Sequence, residues 1–192
     1  MTDSTNAHQF LRAATADCHA RVDSAFGAFP LTTRDGYAAF LQAQARAFLA
    51  AEASLDKAGA ASVIPDWADR KRGQALLADL RDLDVAAPSP LTAPALTAVP
   101  AIWGAVYVLE GSRLGGRFLL GNVPEGMPRA FLGQPQQKGA WRTLVEQLDD
   151  ALIDDGDRGI AALAARTVFE LFEAGARSGQ TGRLGDGQHV SG

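Results

Sequence analysis

Apolar residues recur at helical spacing through most of the chain, and no stretch alternates as a half-buried strand would. Leu11, Ala14, Cys18 and Val22 form one stripe, which predicts a first helix over about residues 5–24. Phe26, Phe29 and Pro30 close it in a hydrophobic corner. Thr32 or Thr33 can cap a second helix over about residues 34–58, with Asp35 placed to suit its dipole. Tyr37, Phe40, Leu41, Gln44, Phe48 and Leu55 mark its faces, its alanines favour helix, and Gly59 stops it. After the turn Ile64-Pro65-Asp66, Asp66 can cap a third helix that turns Leu76, Leu77, Leu80 and Leu83 inward. The charged run Asp69–Arg72 reads as a solvated face.

Pro88, Pro90, Pro94 and Pro100 rule out one continuous helix over residues 86–100. That stretch is too apolar for a free linker, so it is expected to pack on the body, with room for a short helical turn. Three further helices are predicted, over about residues 101–120, 138–152 and 157–176, with a turn-rich segment from Gly121 to Pro135. The fifth should turn Trp141, Leu144, Val145 and Leu148 inward, and the sixth Ile160, Leu163, Ala164, Val168, Leu171 and Phe172. The result is an all-α single domain over residues 1–177. Residues 178–192 contain five glycines and little to bury, so that tail is expected to be disordered.

The fourth helix is unusual. It carries Gly111, Gly115 and Gly116 in its interior. Each costs about 1 kcal/mol relative to Ala, so the three oppose helix formation by about 2–3 kcal/mol. Gly111 and Gly115 share a face, which leaves bare backbone there. Two uses fit: a close crossing of helices, or the approach of something flat with a bend in the helix. The first helix carries a second stripe, Arg12, Thr15, His19 and Asp23. It is either a solvated face or the wall of a crevice. In the crevice reading His19 is a neutral metal ligand, Asp23 fixes its tautomer and Arg12 meets an anion. His8 and His189 carry no such context and are set aside.

Composition narrows the field. The 192 residues suffice for one domain with a sizeable core, and a net charge of −4 gives no case for nucleic acid or an anionic membrane. The single cysteine, Cys18, excludes an internal disulfide and a Cys-rich metal site and suits a reducing cytoplasm. Residues 1–6 are polar and lack a signal-like apolar region. No zinc helix, Walker loop or nucleophile elbow is present. Glu110 and Glu170 lack the Glu-x-x-His pairing of a di-iron site. A flat cofactor that bears carboxylates and a metal fits the His, the Arg and the glycines together, and haem held by a proximal His is the obvious candidate.

The chain resembles the biliverdin-producing haem (heme) oxygenases, most closely the bacterial type associated with bacteriophytochromes and haem-iron use. Leu11 through His19 matches the family's proximal pattern Leu-Lys/Arg-x-x-Thr-x-x-x-His, and Asp23 stands where the family often has Glu. Tyr107-Val108-Leu109-Glu110-Gly111-Ser112-Arg113-Leu114-Gly115-Gly116 matches the distal pattern of the bacterial branch. Phe169 to Glu173 resembles the last core helix, and the likeness spans about residues 8–176.

The resemblance implies a helical bundle with haem between the proximal helix and a glycine-kinked distal helix. It implies His19 as iron ligand, Gly111, Ser112, Gly115 and Gly116 over the other haem face, and Arg12 on a propionate. Thr15 and Asp23 join the haem-binding set, with Lys138 or Arg142 as second propionate partner. The implied reaction uses O2 and electrons from a ferredoxin or flavin reductase and yields biliverdin, CO and ferrous iron. A bacteriophytochrome is a possible recipient, nucleic acid and membrane are not partners, and the chain is expected to be a cytoplasmic monomer. Ser112 replaces the Asp that organises distal water in many members, which leaves Ser112, Arg113 and backbone carbonyls as proton routes. A non-catalytic haem carrier or sensor, and a haem-free interaction protein, are the competing readings.

Overall fold

The computed structural model describes residues 6–135 and 138–185, with side chains of the last helix described through residue 179. Among these residues there are helices and no strands. Helix α1 spans Ala7–Gly27, α2 Arg34–Lys57, α3 Ala60–Val63, α4 Trp67–Arg70, α5 Gly73–Asp82, α6 Val99–Leu119, α7 Ala140–Ala151 and α8 Asp155–Gly185. None of the described helices is long and apolar enough to cross a membrane.

The local signals act as their chemistry requires. The Asn6 side chain accepts from Gln9 N at 2.8 Å and starts α1. Thr33, of the two candidate threonines, caps α2 by accepting from Gly36 N at 3.1 Å. Gly59 ends α2 in the left-handed region, at φ 79°. The expected third helix is broken into two pieces, α4 and α5, and a further short helix, α3, precedes the turn at Pro65. Asp66 does not cap α4 with its side chain; its Oδ1 instead accepts from Arg70 Nε at 2.8 Å. Residues 86–97 hold no helical turn and lie along α2, with Leu91 N donating to Arg46 O and Ser54 Oγ to Pro94 O.

Helix α8 is the central strut, packed along α1, α2 and α6. It meets α6 at Gly104, where an added Cβ would stand 2.0 Å from Ala161 O. It meets α2 at Gly175, where a Cβ would stand 2.7 Å from Ala43 O. These crossings set the rotation of α8. Ala161, Ala165, Val168 and Phe172 face the core, whereas Ile160 and Leu163, both expected inward, are exposed. The reason is that small side chains permit backbone approach, and the bulky residues are carried to the outside. Helix α8 also runs on to Gly185, through the first part of the segment expected to be disordered; residues 186–192 lie outside the described residues.

Helix α1 is tied to α8 by ion pairs. Arg166 donates to Asp17 Oδ1 and Oδ2 at 2.7 and 3.0 Å and to Ala14 O at 2.6 Å. Arg21 joins Asp17 at 2.9 Å and Glu173 at 3.1 Å. Arg166, then Arg21, hold the Asp17 carboxyl well below the usual carboxylate range. Its folded-state pKa is depressed, so its stabilisation is present above the ordinary carboxylate range and is lost as pH falls through and below it. Asp17→Asn should therefore flatten the acid limb of the stability profile below about pH 4, as read by urea denaturation across pH. Gly104→Ala should cost about 1–3 kcal/mol by forcing α6 from α8. Gly115→Ala, with open space at its Cβ, should be neutral or stabilising in the same assay.

Candidate active site

A cavity of about 850 Å³ opens between α1 and α6. Its volume lies in the range of small-molecule and cofactor sites. Helix α1 contributes Arg12, Thr15, His19 and Asp23, the whole second stripe read from the sequence. Helix α6 contributes Gly111, Ser112, Gly115 and Gly116 to the same cavity. Its far walls are aromatic and apolar: Phe26 and Phe40, Phe131 and Leu132, Phe169 and Phe172.

The histidine is oriented. His19 Nδ1 lies 2.9 Å from Asp23 Oδ2, and the His19 ring meets Phe169 edge-on at 5.7 Å. An Nδ1–H beside that carboxylate leaves the Nε2 lone pair free for a metal. Helix periodicity alone brings the pair together, because positions 19 and 23 are one turn apart. Thr15 is buried, and its hydroxyl donates to Leu11 O at 2.7 Å, so it serves the wall more than a ligand. Burial raises the pKa of the neighbouring Tyr107 phenol, opposed by its hydrogen bond with Thr15.

The glycines resolve between the two uses left open by the sequence. The close crossing belongs to Gly104. An added Cβ at Gly115 would meet nothing within 4 Å, and at Gly111 only the Trp141 ring, at 3.8 Å. Gly116 differs, with Leu132 Cδ2 at 3.3 Å. Helix α6 runs unbroken through all three. The bare face therefore looks into the cavity.

Behind that face lies a buried charge cluster, and here the sequence reading is corrected. Arg70 and Arg72 are buried members of the run read as a solvated face. The Arg72 guanidinium lies over the rings of Phe48 and Phe131, 4.7 and 5.0 Å from their centroids. Its Nη2 donates to Leu109 O at 2.7 Å and to Ser112 Oγ at 2.6 Å. Burial, then repulsion from Arg113, push the Arg72 pKa down to about 9. Glu110, 4% exposed, pairs with Arg113 at 3.1 Å and Arg70 at 3.6 Å. Arg113, a candidate proton route, is thus turned away from the cavity into this cluster. Glu52 accepts from Arg72 N and Gly73 N, and burial raises its pKa. The Asp79 carboxylate accepts from Ala130 N and Phe131 N, both at 2.8 Å, which holds Phe131 and Leu132 at the cavity.

Lys138 and Arg142 do not join the site. Both are exposed and neither lines the cavity, because α7 turns Trp141 inward in their place. His8, set aside above, does line it, as do Tyr107, Trp141 and Gln44. His8 was legible as the stripe Arg12–Thr15–His19 extended back by one turn. Arg72 had no signal, since its neighbours in sequence are charged and polar.

The arrangement offers an oriented imidazole facing a side-chain-free helix surface across an apolar slot, with a cation nearby. It fits a flat metallomacrocycle with acidic substituents. Two solved structures share the fold. The NO- and CO-bound heme oxygenase of Neisseria meningitidis superposes with a TM-score of 0.76 at 24% identity, covering 92% of each chain. The heme oxygenase of Leptospira interrogans gives 0.70 at 20% identity, covering 91% of this chain and 100% of the other. In sequence, the heme oxygenase of Xanthomonas campestris pv. campestris is 30% identical over 148 residues, 72% of this chain and 87% of the relative. The heme oxygenase PigA of Pseudomonas aeruginosa is 29% identical over 175 residues, 85% and 88% of the two chains. No family model matches the chain. With a relative this similar over this share of both lengths, the protein belongs to the heme oxygenase family.

Glu110→Ala would leave Arg70 and Arg113 buried without their shared carboxylate. It should cost about 3–5 kcal/mol, measured by urea denaturation. Exposed Glu170→Ala should stay within about 0.5 kcal/mol in the same measurement.

Proposed function

We propose that this protein is a haem oxygenase that opens the haem ring at a meso carbon, consuming O2 and electrons and releasing biliverdin, CO and ferrous iron. One observation carries the reading: His19, with its tautomer set by Asp23, and the bare face of Gly111 and Gly115 line the same cavity. Haem, the substrate, supplies the iron and the oxygen chemistry. The protein supplies position, exclusion and a limited proton supply.

His19 is the iron ligand through Nε2. Arg12 neutralises one propionate. The α6 backbone at Gly111 and Gly115 lets a flat ring approach closely, and Gly116 lines the same cavity against Leu132. Leu114 and Phe118, the latter 82% exposed, stand at the same cavity and gain cover from an occupant. Asp23 is the only carboxylate among the described lining residues, and it is held by His19. No strong acid therefore faces the glycine surface, so protons reach it only through hydroxyl and water. Ser112 Oγ lines the cavity as an acceptor for such water, because its own proton goes to Leu109 O at 2.7 Å while Arg72 donates to it. Arg72 orients the hydroxyl and keeps a positive charge behind the glycine face.

Reducing equivalents come from a ferredoxin or flavin reductase in the cytoplasm, and the chain acts as a monomer. The product serves a bacteriophytochrome or iron recovery.

Absorption tests the proposal. Hemin added to the purified protein should give a Soret band that, with a reductant in air, decays into a broad red biliverdin absorption. A persistent Soret band would mean a carrier, and no Soret shift would remove haem altogether. His19→Ala should lose turnover, with recovery by added imidazole. Gly115→Leu should block hemin uptake; an unchanged titration would mean the glycines do not face the ring.

A further inference from the structure

The cavity holds a second imidazole that this mechanism leaves unused. His8 lies in the first turn of α1, one turn before Arg12, and forms part of the cavity wall. Its ring meets Trp141 edge-on at 5.6 Å and Tyr107 at 6.1 Å. Along the helix axis His8 stands about 16 Å from His19, and Arg12 about 10 Å, at 1.5 Å per residue. Two side chains on backbone that far apart cannot ligate one metal ion. His8 therefore belongs with Arg12, at the end of the cavity away from His19.

Charge decides what it does there. Haem bears two carboxylates. Arg12 is the only Lys or Arg among the described lining residues, and the one lining carboxylate is committed to His19. Lys138 and Arg142, the two cations expected to complete the pair, are outside the wall. The second carboxylate therefore meets His8, Tyr107 and Trp141. Burial raises the Tyr107 pKa and keeps that phenol neutral. Trp141 can only donate a neutral N–H. His8 stands one turn from Arg12 on the same helix and offers a ring N–H donor beside that guanidinium. The charged groups around it are Arg12 on its own helix and Asp149 of α7, which accepts from Ala7 N at 2.7 Å.

We propose, on the haem reading above, that His8 is the second carboxylate contact. It is a positioning residue: with Arg12 it holds the acidic edge of the macrocycle toward the start of α1 and so fixes the ring's rotation about the iron. Tyr107 and Trp141 brace its imidazole from the α6 and α7 sides.

The test separates carboxylate recognition from packing. Hemin and hemin dimethyl ester, whose propionates carry no charge, are titrated by Soret absorption into the wild type, His8→Phe and His8→Lys. His8→Phe keeps an aromatic ring against Tyr107 and Trp141. It should weaken hemin binding about tenfold, the worth of one hydrogen bond to a charged group, and leave the ester's affinity unchanged. His8→Lys should keep the wild-type preference for the free acid. Equal losses for hemin and ester in His8→Phe, or no loss for either, would overturn the assignment, because the imidazole would then serve packing or nothing. A wild type that binds ester as tightly as hemin would overturn it too, while leaving the iron ligand in place. A wild type that takes up neither porphyrin would sink the haem reading itself, and this contact with it.

Discussion

The backbones of α6 and α8 touch at Gly104, and the rest of the site depends on that contact. No side chain fits there, because Ala161 O occupies the space of a Cβ. The contact fixes α6 along the strut of the fold and fixes the rotation of both helices. From Ala101 to Glu110 the helix is buried on every side. Burial of Ile102, Trp103, Val106 and Leu109 contributes about 1.5–3 kcal/mol for each large side chain. That exceeds the helix-propensity cost of the glycines that follow, about 1 kcal/mol each. The anchored half of α6 thus lets the other half present bare backbone to a cavity.

The second condition is electrostatic. A helix that offers no side chains on one face must be held from the other. Arg72 does this from behind, through Leu109 O and Ser112 Oγ, with its guanidinium against the edge-to-face pair of Phe48 and Phe131. Glu110 gathers Arg70 and Arg113 in the same region. Burying such charges costs several kcal/mol per ion unless each is paired and hydrogen-bonded. The cluster meets that requirement in part: Glu110 pairs Arg70 and Arg113, and carbonyls, Ser112 and aromatic faces meet Arg72, while Arg72 Nε and Arg113 Nε stay buried without a hydrogen-bond partner. Its location separates functions: charge stands behind the helix, and the face toward the cavity carries the bare glycines. An oxygen-activating site that must direct oxidation at the ring benefits from that separation, since a strong acid over the iron would favour O–O cleavage instead.

The order of the long helices was legible in the chain, and so were their spans within a few residues, apart from the broken third helix and the extension of α8 past residue 176; the two faces that line the cavity were legible too. The stripe through Arg12, Thr15, His19 and Asp23 needs only 3.6 residues per turn to be a face. The misreadings share a cause. Ile160 and Leu163 are apolar and were expected inside, yet the alanines beside them permit the closer approach and take the core. Arg70 and Arg72 were expected outside, because a run of charges is solvated unless another element covers it. Here α2, α6 and the segment around Phe131 do so.

The sequence by itself determined that the chain is helical, where most of its helices start, and that Arg12, Thr15, His19 and Asp23 share one face and Gly111 and Gly115 another. Those properties are periodic or local, and neighbouring residues decide them. Only the tertiary structure decided that the two faces enclose one cavity, that Gly104 rather than Gly111 makes the helix crossing, that His8 joins the wall and that Lys138 and Arg142 do not. Those depend on the rotation and approach of helices far apart in sequence, which are set by steric contact and by the need to pair buried charge.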